Sequence, residues 1–171
     1  MYEDEVTFYR HPTQGTLWSF KGRAQPRMHF AHKSNTRTRV MGVFDAITGA
    51  LYCTQRSKID RRTYGKFLFE VAKSYPEARK IYVILDNWSV HFHEDAMKII
   101  GKDVRIELVP LPTYSPWLNH IEKVWRYVKQ TMIHNHPYAD DFDKFKSVIN
   151  ELLNSFKSGS PMLLKYTGLM V

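Results

Sequence analysis

The sequence predicts an α/β domain in which a mixed β-sheet is covered by helices. Strand-like segments come first, and helix-like and strand-like segments then alternate along the chain. A chain of 171 residues with 43% hydrophobic residues can bury one core without disulfides or structural metals. No glycine-rich phosphate loop follows a predicted strand, so nucleotide binding of the Rossmann or P-loop kind is not expected.

The first part of the chain has the alternation expected of β-strands. Residues 2–10 predict a first strand, 11–15 a turn, and 16–20 a second strand. After a polar, basic connection, 38–44 and 50–54 predict two strands that pair as a hairpin. The N-terminal part of the domain is therefore expected to supply one edge of the sheet.

The second part of the chain changes to helical spacing. Apolar residues between Tyr64 and Ala72 predict a helix that ends before Pro76. The run Ile81–Leu85 is continuous and rich in β-branched residues, which predicts a central strand buried on both faces. The remaining expected elements are a helix at 92–100, a strand at 104–109, helices at 120–133 and 140–156, and a loosely held tail at 158–171.

The charge of the chain favours a polyanionic partner. The formal net charge is +8 at pH 7, and 6–44 contains seven Lys and Arg residues but no acidic residue. Phosphate contacts dominate the affinity of proteins for nucleic acids, so this distribution indicates DNA or RNA as the partner. A merely solvated basic surface would give the same charge pattern.

The composition also limits the compartment. A single cysteine, Cys53, cannot form an intramolecular disulfide, which fits a reducing, cytoplasmic location. No apolar run approaches the roughly 20 residues of a membrane span, and the N-terminal residues lack the apolar stretch of a signal peptide. We therefore expect no membrane partner.

Asp86 is a candidate for chemistry because it directly follows the predicted central strand. In open α/β sheets, ligands bind beyond the carboxyl ends of the strands, and a carboxylate leaving a hydrophobic strand is costly unless it has a role. The alternative is a structural role, in which Asp86 forms a turn or caps the next helix.

Glu122 is a second candidate, since it shares a predicted helix face with Arg126 and Lys129. One acid followed by two cations suits a metal ion next to a phosphate group. The alternative is that Asn119 caps the helix and Glu122 completes a capping box.

Asp4 is a third candidate, because acids are disfavoured inside strands. Strand alternation places Asp4 on one face of the first strand and Glu3 and Glu5 on the other. The alternative is a solvated acidic patch at the N-terminus.

Two close histidine pairs invite a zinc interpretation, which other features oppose. The pairs are His91-x-His93 and His134-x-His136. The chain has one cysteine and no histidines four residues apart on a predicted helix, so a structural zinc site is not expected.

The three acids lie in motifs that resemble those of the DDE-type transposases of the mariner superfamily, and most closely the bacterial insertion sequence 630 group. The third motif is the most specific, because its usual form in that family is Leu-Pro-x-Tyr-Ser-Pro-x-Leu-Asn-Pro-Ile-Glu. It has Trp117 where the family often has Asp, and His120 where it usually has Pro. The matching segments are Asp4-Glu5 with Trp18 and Gly22, Leu85-Asp86-Asn87 with His91, and Leu111 to Glu122.

The resemblance implies a ribonuclease H-like fold and a two-metal active site. Asp4, Asp86 and Glu122 would hold two Mg²⁺ or Mn²⁺ ions, with Asp4 bridging both and the other two acids each holding one. The reactions implied are cleavage of DNA at transposon ends and strand transfer into target DNA, each by in-line displacement at a phosphodiester.

Residues around the acids receive roles by the same resemblance and by charge. Asn87, His91 and Asn119 are expected to support the metal ligands through hydrogen bonds. The alternatives are that Asn87 caps a helix and that His91 is an ordinary surface histidine. The residues expected to contact DNA phosphates are Arg126, Lys129, Lys21, Arg23, Arg37 and Arg39.

The resemblance also implies partners. Double-stranded DNA, as transposon ends and target, is the expected substrate, and a homodimer is expected on DNA because transposition needs two active sites. Relatives carry helix-turn-helix modules before this domain, so we expect residues 1–171 to form the catalytic domain alone, with an upstream helix-turn-helix partner or reading frame as a candidate partner.

Two other functions remain compatible with the sequence. One is a ribonuclease H-like nuclease that acts on RNA–DNA hybrids or junctions. The other is a non-catalytic DNA-binding remnant of a decayed element, although retention of all three acids argues against decay.

Overall fold

One five-stranded mixed sheet organises the protein. The computed structural model describes residues 1–16, 19–22, 28 and 31–170. Within this part of the chain the strands lie in the order β3-β2-β1-β4-β5. Their bounds are β1 Tyr2–Tyr9, β2 Arg37–Phe44, β3 Leu51–Arg56, β4 Ile81–Leu85 and β5 Ile106–Pro110. The predicted mixed sheet is confirmed.

The sheet changes direction at β1. Strands β1, β2 and β3 are antiparallel neighbours, whereas β1 pairs with β4 and β4 with β5 in parallel. Tyr2 of β1 lies opposite Ile84 of β4. The carboxyl ends of β4 and β5 therefore point toward the same edge as the residues that follow Tyr2 in β1.

Helices cover the two faces of the sheet. Their bounds are α1 Arg61–Lys73, α2 Glu94–Ile100, α3 Ile121–Val128, α4 Phe142–Ser155 and α5 Pro161–Thr167. Helix α3 continues into a π-helical turn, Lys129–Ile133, so the helix predicted at 120–133 has the right extent but a wider last turn. A short 3₁₀ turn, Pro116–Leu118, precedes α3.

Two hydrophobic cores result, one on each face. The larger packs α3, α4 and α5 against the face of β1 that carries Val6 and Phe8, with Trp125 fully buried in it. The smaller packs α1 and α2 against the opposite face, around Met41 and Tyr64. No helix in the described part of the chain is long and apolar enough to span a membrane.

The prediction that β4 is buried on both faces is wrong. Ile81, Val83 and Leu85 are buried on the face covered by α1 and α2, but Tyr82 on the other face is 51% exposed. The helices of the larger core lie over β1, β2 and β3, so they leave this face of β4 partly open. The continuous apolar run of β4 therefore corresponds to a strand that is fully buried on one face only.

Two further expectations need correction. The segment 158–171 is not loosely held, because Ser160 caps α5 by accepting a hydrogen bond from the Leu163 amide and Pro161 opens the helix. Thr16, Ser19 and Phe20 are not in a strand, while Leu17 and Trp18 of that predicted strand lie outside the described residues.

Truncating Leu163 tests whether α5 is part of the fold. Leu163 is fully buried in the larger core, so Leu163→Ala should lower the free energy of unfolding by about 2–5 kcal/mol. Met162, the preceding residue, is 44% exposed and serves as the matched control, with a change below about 1 kcal/mol expected for Met162→Ala. Equal denaturant midpoints for the two variants would mean that the tail contributes no stability.

Candidate active site

The three candidate acids line one pocket at the carboxyl edge of the parallel strands. Because Tyr2 lies opposite Ile84, continuing the β1–β4 register by two residues places Asp4 beside Asp86. Glu122 reaches the same place from α3. The pocket has a volume of about 420 Å³ and is lined by Asp4, Asp86 and Glu122, together with Asn87, Trp88, Asn119 and residues 111–116. Acids that are far apart in sequence thus meet in space.

Asp4 is held from the α3 side of the sheet by a tryptophan. Trp125 Nε1 donates a hydrogen bond of 3.1 Å to Asp4 Oδ2. Gly42 lies directly opposite Asp4 in the β1–β2 ladder, and a Cβ built on Gly42 would clash with Trp125 Cη2. The absence of a side chain at Gly42 therefore lets Trp125 reach the carboxylate. No feature of the sequence indicated this role of Trp125.

Asp86 satisfies both interpretations of its position. Its Oδ1 accepts a hydrogen bond of 2.8 Å from the Trp88 amide, so it does form a turn. Its side chain is nevertheless 59% exposed and lines the pocket shared with Asp4 and Glu122. The turn fixes the direction in which the carboxylate leaves β4 without consuming all of its acceptor sites.

The capping-box alternative for Glu122 is wrong. Helix α3 begins at Ile121 with no side-chain cap, and Glu122 is exposed in the pocket. Asn119 points away from the helix and donates a hydrogen bond of 2.9 Å from Nδ2 to the Glu3 backbone oxygen. Glu122 thus keeps its carboxylate free for a ligand.

Mutual repulsion raises the proton affinity of the site. The pKa of Asp4 is raised to about 7, first by burial and then by the negative charge of Glu122, with smaller contributions from Glu5 and Asp86. A hydrogen bond from the Glu5 backbone partly opposes this rise. Carboxylates arranged in this way repel one another until a cation or a proton neutralises them.

The predicted supporting residues each link two segments of the site through a polar contact. They are Asn87, His91 and Asn119. Asn87 Nδ2 donates a hydrogen bond of 2.6 Å to the Leu111 oxygen, which links the end of β4 to the loop after β5. Asn119 joins α3 to β1 as described above. His91 Nδ1 lies 3.2 Å from the Asp86 backbone oxygen. His91 is 1% exposed, so the alternative of an ordinary surface histidine is wrong.

Glu3 and Glu5 form a second acidic group that sequence reasoning did not single out. They lie on the face of β1 opposite Asp4, as alternation predicted, and both approach His91. Burial, followed by the charges of Glu5, Asp4 and Asp86, raises the pKa of Glu3 well above its usual value. The only sequence signal was two glutamates at alternate positions of a strand that also carries Asp4.

The other three histidines of the two close pairs, and the cysteine, have structural environments. His93 caps α2, and His134 Nδ1 lies 2.8 Å from Thr13 Oγ1. His136 is buried against Phe145. Burial raises the pKa of the Cys53 thiol well above its usual value, which disfavours a nucleophilic role.

The predicted DNA-contact residues differ in their placement. Arg126 and Lys129 are exposed, and neither forms an ion pair with another described residue. Lys21 and Arg37 are exposed, and Arg39 is half-buried in β2 opposite Arg56. Arg23 lies outside the described residues, as does Trp18 of the first motif.

One basic residue of the acid-free stretch is structural. Arg10 is 7% exposed, and its guanidinium donates to the backbone oxygens of Ala139 and Asp140.

Exposed aromatic side chains also surround the pocket. Trp88 and Tyr114 line it and are 37% and 89% exposed, and Trp117 nearby in sequence is 72% exposed.

Replacing Asp4 by Asn tests the repulsion directly. In metal-free protein the folded chain holds the Asp4 proton up to about pH 7, whereas an unfolded chain releases it near pH 4, so stability is lost as the pH rises between these values. Asp4→Asn should therefore raise the free energy of unfolding at pH 8 by on the order of 2–4 kcal/mol. The gain should vanish near pH 4.

Asn is the suitable replacement because its side-chain oxygen can still accept the hydrogen bond from Trp125. The measurement is urea unfolding in EDTA across this pH range. Glu151→Gln, on the exposed side of α4, is a control that should be neutral at both pH values. A destabilised Asp4→Asn protein at pH 8 would show that the carboxylate is not under electrostatic stress.

Comparison with known proteins agrees with this arrangement. The chain is 25% identical over 166 residues to the insertion element IS630 uncharacterized 39 kDa protein of Shigella sonnei, covering 96% of this chain and 48% of that protein. Its fold matches Mos1 transposase in a pre-cleavage transpososome with a TM-score of 0.69 at 16% identity, covering 98% of this chain and 51% of that one. The isolated catalytic domain of Mos1 mariner transposase matches with a TM-score of 0.60 at 12% identity, covering 98% and 74%.

The chain therefore spans about half the length of the curated relative and of the full Mos1 chains that it matches. The fold likeness confirms the ribonuclease H-like architecture expected from the motifs. The profile of the family described as DDE superfamily endonuclease matches residues 1–146, which include all three candidate acids. The chain is a member of the DDE superfamily endonuclease family and resembles the IS630 branch of insertion-element proteins.

Proposed function

We propose that this chain is the catalytic domain of a DNA transposase, which cleaves transposon-end DNA and transfers the cut strand to target DNA. The observation that carries the proposal is the convergence of Asp4, Asp86 and Glu122 in one pocket at the switch between antiparallel and parallel strands. Pockets at such switch points are where open α/β sheets bind their ligands. Membership of an endonuclease family supports the same conclusion.

The donor set fits two hard divalent cations. Asp4, Asp86 and Glu122 offer only carboxylate oxygens, which Mg²⁺ and Mn²⁺ prefer. The raised pKa of Asp4 indicates excess negative charge that bound cations would neutralise. When bound, the ions would activate the attacking hydroxyl or water and stabilise the leaving oxygen of an in-line phosphodiester displacement.

The protein's own side chains position these ligands. Trp125 fixes one oxygen of Asp4, the turn at Trp88 fixes one oxygen of Asp86, and Asn119 holds the start of α3 against β1. These bonds engage one oxygen of Asp4 and one of Asp86, and all three acids line the pocket. A site whose ligands are fixed before the substrate arrives loses little entropy on reaction.

Cations and aromatic side chains beside the pocket suit a DNA strand. Arg126 follows Glu122 by one helical turn, and Lys129 follows Arg126 by another. Both can bind the phosphates that flank the one being cut. Trp88 and Tyr114 line the same pocket with exposed rings on which unpaired bases could stack.

The proposal extends to partners. Transposition joins two DNA ends, so we propose a homodimer on DNA with one active site for each end. Because the chain covers about half of its relatives, we also propose that helix-turn-helix modules, on the same polypeptide or an upstream partner, supply sequence recognition. The solved Mos1 complexes contain paired transposon ends, which supports a similar assembly.

Removing a single ligand should abolish catalysis and spare binding. Asp86→Ala and Glu122→Gln should each lower strand cleavage of the element's terminal-repeat duplex, in Mg²⁺ or Mn²⁺, by at least about 10³-fold. DNA affinity in EDTA should change less than about threefold, because phosphate contacts dominate it. Glu107→Gln, an exposed carboxylate on β5, is the matched control and should cleave normally.

Cleavage by purified Asp86→Ala protein would refute this assignment. Parallel assays on an RNA–DNA hybrid and a four-way junction separate the proposed function from a general ribonuclease H-like nuclease. Faster cleavage of either one than of terminal-repeat duplex would identify the chain as that kind of nuclease. An inert remnant would cleave none of them.

The phosphate-binding assignment has its own signature. Arg126→Ala and Lys129→Ala should each weaken DNA binding and lower the slope of log affinity against log salt by about 1. Lys102→Ala provides the matched control, since Lys102 is exposed at the opposite end of the parallel strands. Affinities are measured by fluorescence anisotropy. If the slope of log affinity against log salt is unchanged in both variants, α3 is not part of the DNA interface.

A further inference from the structure

We infer that the protein has another metal-binding site, formed by Glu3, Glu5 and His91 on the face of β1 opposite Asp4, which takes a divalent transition-metal ion such as Mn²⁺ or Zn²⁺. In the described part of the chain these residues form the one group of three or more His, Cys, Asp or Glu side chains whose ligand atoms all lie within 4.8 Å of one another. The site shares no ligand with the group formed by Asp4, Asp86 and Glu122.

The distances within the group favour a shared ion over direct hydrogen bonds. His91 Nε2 lies 3.3 Å from Glu5 Oε1 and 3.6 Å from Glu3 Oε2. A protonated histidine bonds a carboxylate at about 2.7–2.9 Å, which is much shorter. Two ligands each about 2.1 Å from one ion, at tetrahedral to octahedral angles, lie about 3.0–3.4 Å apart. The observed separations are closer to this second pattern.

An unsatisfied buried atom supports the same conclusion. Glu3 is fully buried, and its Oε1 has no hydrogen-bond partner among the described residues. Its Oε2 accepts only a long bond of 3.5 Å from the Tyr64 hydroxyl. A buried carboxylate without partners is costly, and buried charges in proteins are normally paired or bind metals. A cation between Glu3, Glu5 and His91 would remove this cost.

The imidazole is oriented as a metal ligand. His91 Nδ1 lies 3.2 Å from the Asp86 backbone oxygen and 3.3 Å from its Oδ1. A proton on Nδ1 directed at Asp86 leaves the lone pair of Nε2 facing the two glutamates. Metal-bound histidines generally donate their other ring nitrogen to a carboxylate or a backbone carbonyl in this way. Tyr64 stacks on the ring with centroids 4.6 Å apart and holds its plane.

The ligand set also predicts which ion binds. One imidazole and two carboxylates suit Zn²⁺ or Mn²⁺ better than Mg²⁺, which prefers oxygen ligands and retains several waters. The side chain of Glu5 is 17% exposed, whereas those of Glu3 and His91 are at most 1% exposed. An ion therefore reaches the site past Glu5. Once bound, it would anchor the histidine that contacts Asp86 and so stiffen the carboxyl end of β4.

Nitrogen coordination provides the test, because Asp4, Asp86 and Glu122 supply only oxygen. Electron spin-echo envelope modulation is recorded on Mn²⁺ added to the full chain carrying Asp4→Asn and Glu122→Gln. We expect one bound Mn²⁺ with ¹⁴N coupling from imidazole. Adding His120→Gln, which removes the histidine next to Glu122, should leave the coupling intact, whereas adding His91→Gln should abolish it. A large excess of Mg²⁺ should not displace the signal.

Absence of ¹⁴N coupling at saturating Mn²⁺, or its persistence after His91→Gln, would overturn the inference. If His91→Gln fails to fold, the Mn²⁺ affinity of Glu5→Gln tests the inference instead. This variant keeps the ring but removes one ligand, so Mn²⁺ affinity should fall at least about tenfold. Unchanged affinity would overturn the inference. Because Asp4 and Glu122 are already substituted and the readout is nitrogen coordination or Mn²⁺ affinity, none of these outcomes depends on the proposed transposase activity.

Discussion

The crowding of negative charge around β1 is the constraint on which the rest of the site depends. Glu3, Asp4 and Glu5 are consecutive, and their side chains alternate between the two faces of the sheet. Burial is the largest cause of the raised pKa values of Glu3 and Asp4. The charge of Glu122 on α3 raises the pKa of Asp4 further, and Asp86, directly after β4, adds a smaller rise at both residues. Such an arrangement is unfavourable in the isolated chain, so the fold must hold these groups together against their repulsion.

Neutral donors around the acids meet this demand. Trp125 and Tyr64 each donate to a carboxylate, and Asn119 donates to the backbone oxygen of Glu3. Asn87, which follows Asp86, ties the end of β4 to the Leu111 oxygen. The large hydrophobic cores on both faces of the sheet supply the stability that this local strain consumes. The consequence is a site that is prepared for cations, in which electrostatic stress in the free protein becomes binding energy for the ions.

How far the sequence predicts the structure depends on the range of the contacts involved. The strands β2, β3 and β4 and the helices α3 and α4 follow from apolar periodicity, which is local. Asp86 could be predicted as a site residue because it follows a strand, and Glu122 because it lies in a specific motif. Helix α5 was missed, although Ser160 and Pro161 are an ordinary start signal, because its short apolar run was taken for a tail.

The contacts that could not be predicted join residues far apart in the chain. Asn119 carries a local capping signal, but its side chain instead bonds Glu3, 116 positions away in the chain. His91 and Glu5, which are 86 positions apart, likewise meet only because β1 and β4 are neighbours in the sheet. No periodicity encodes such pairs, because strand order and helix placement decide them. Arg10 is a further example, because this basic residue of the acid-free stretch is buried and bonds backbone oxygens about 130 positions away.

The central claim is that Asp4, Asp86 and Glu122 together hold two ions. Anomalous diffraction from crystals of the protein grown in Mn²⁺ tests it most directly. The account predicts two anomalous peaks about 4 Å apart, within coordinating distance of carboxylate oxygens from all three residues. Peaks that contact fewer than all three acids, or no peak in this pocket at saturating Mn²⁺, would contradict it.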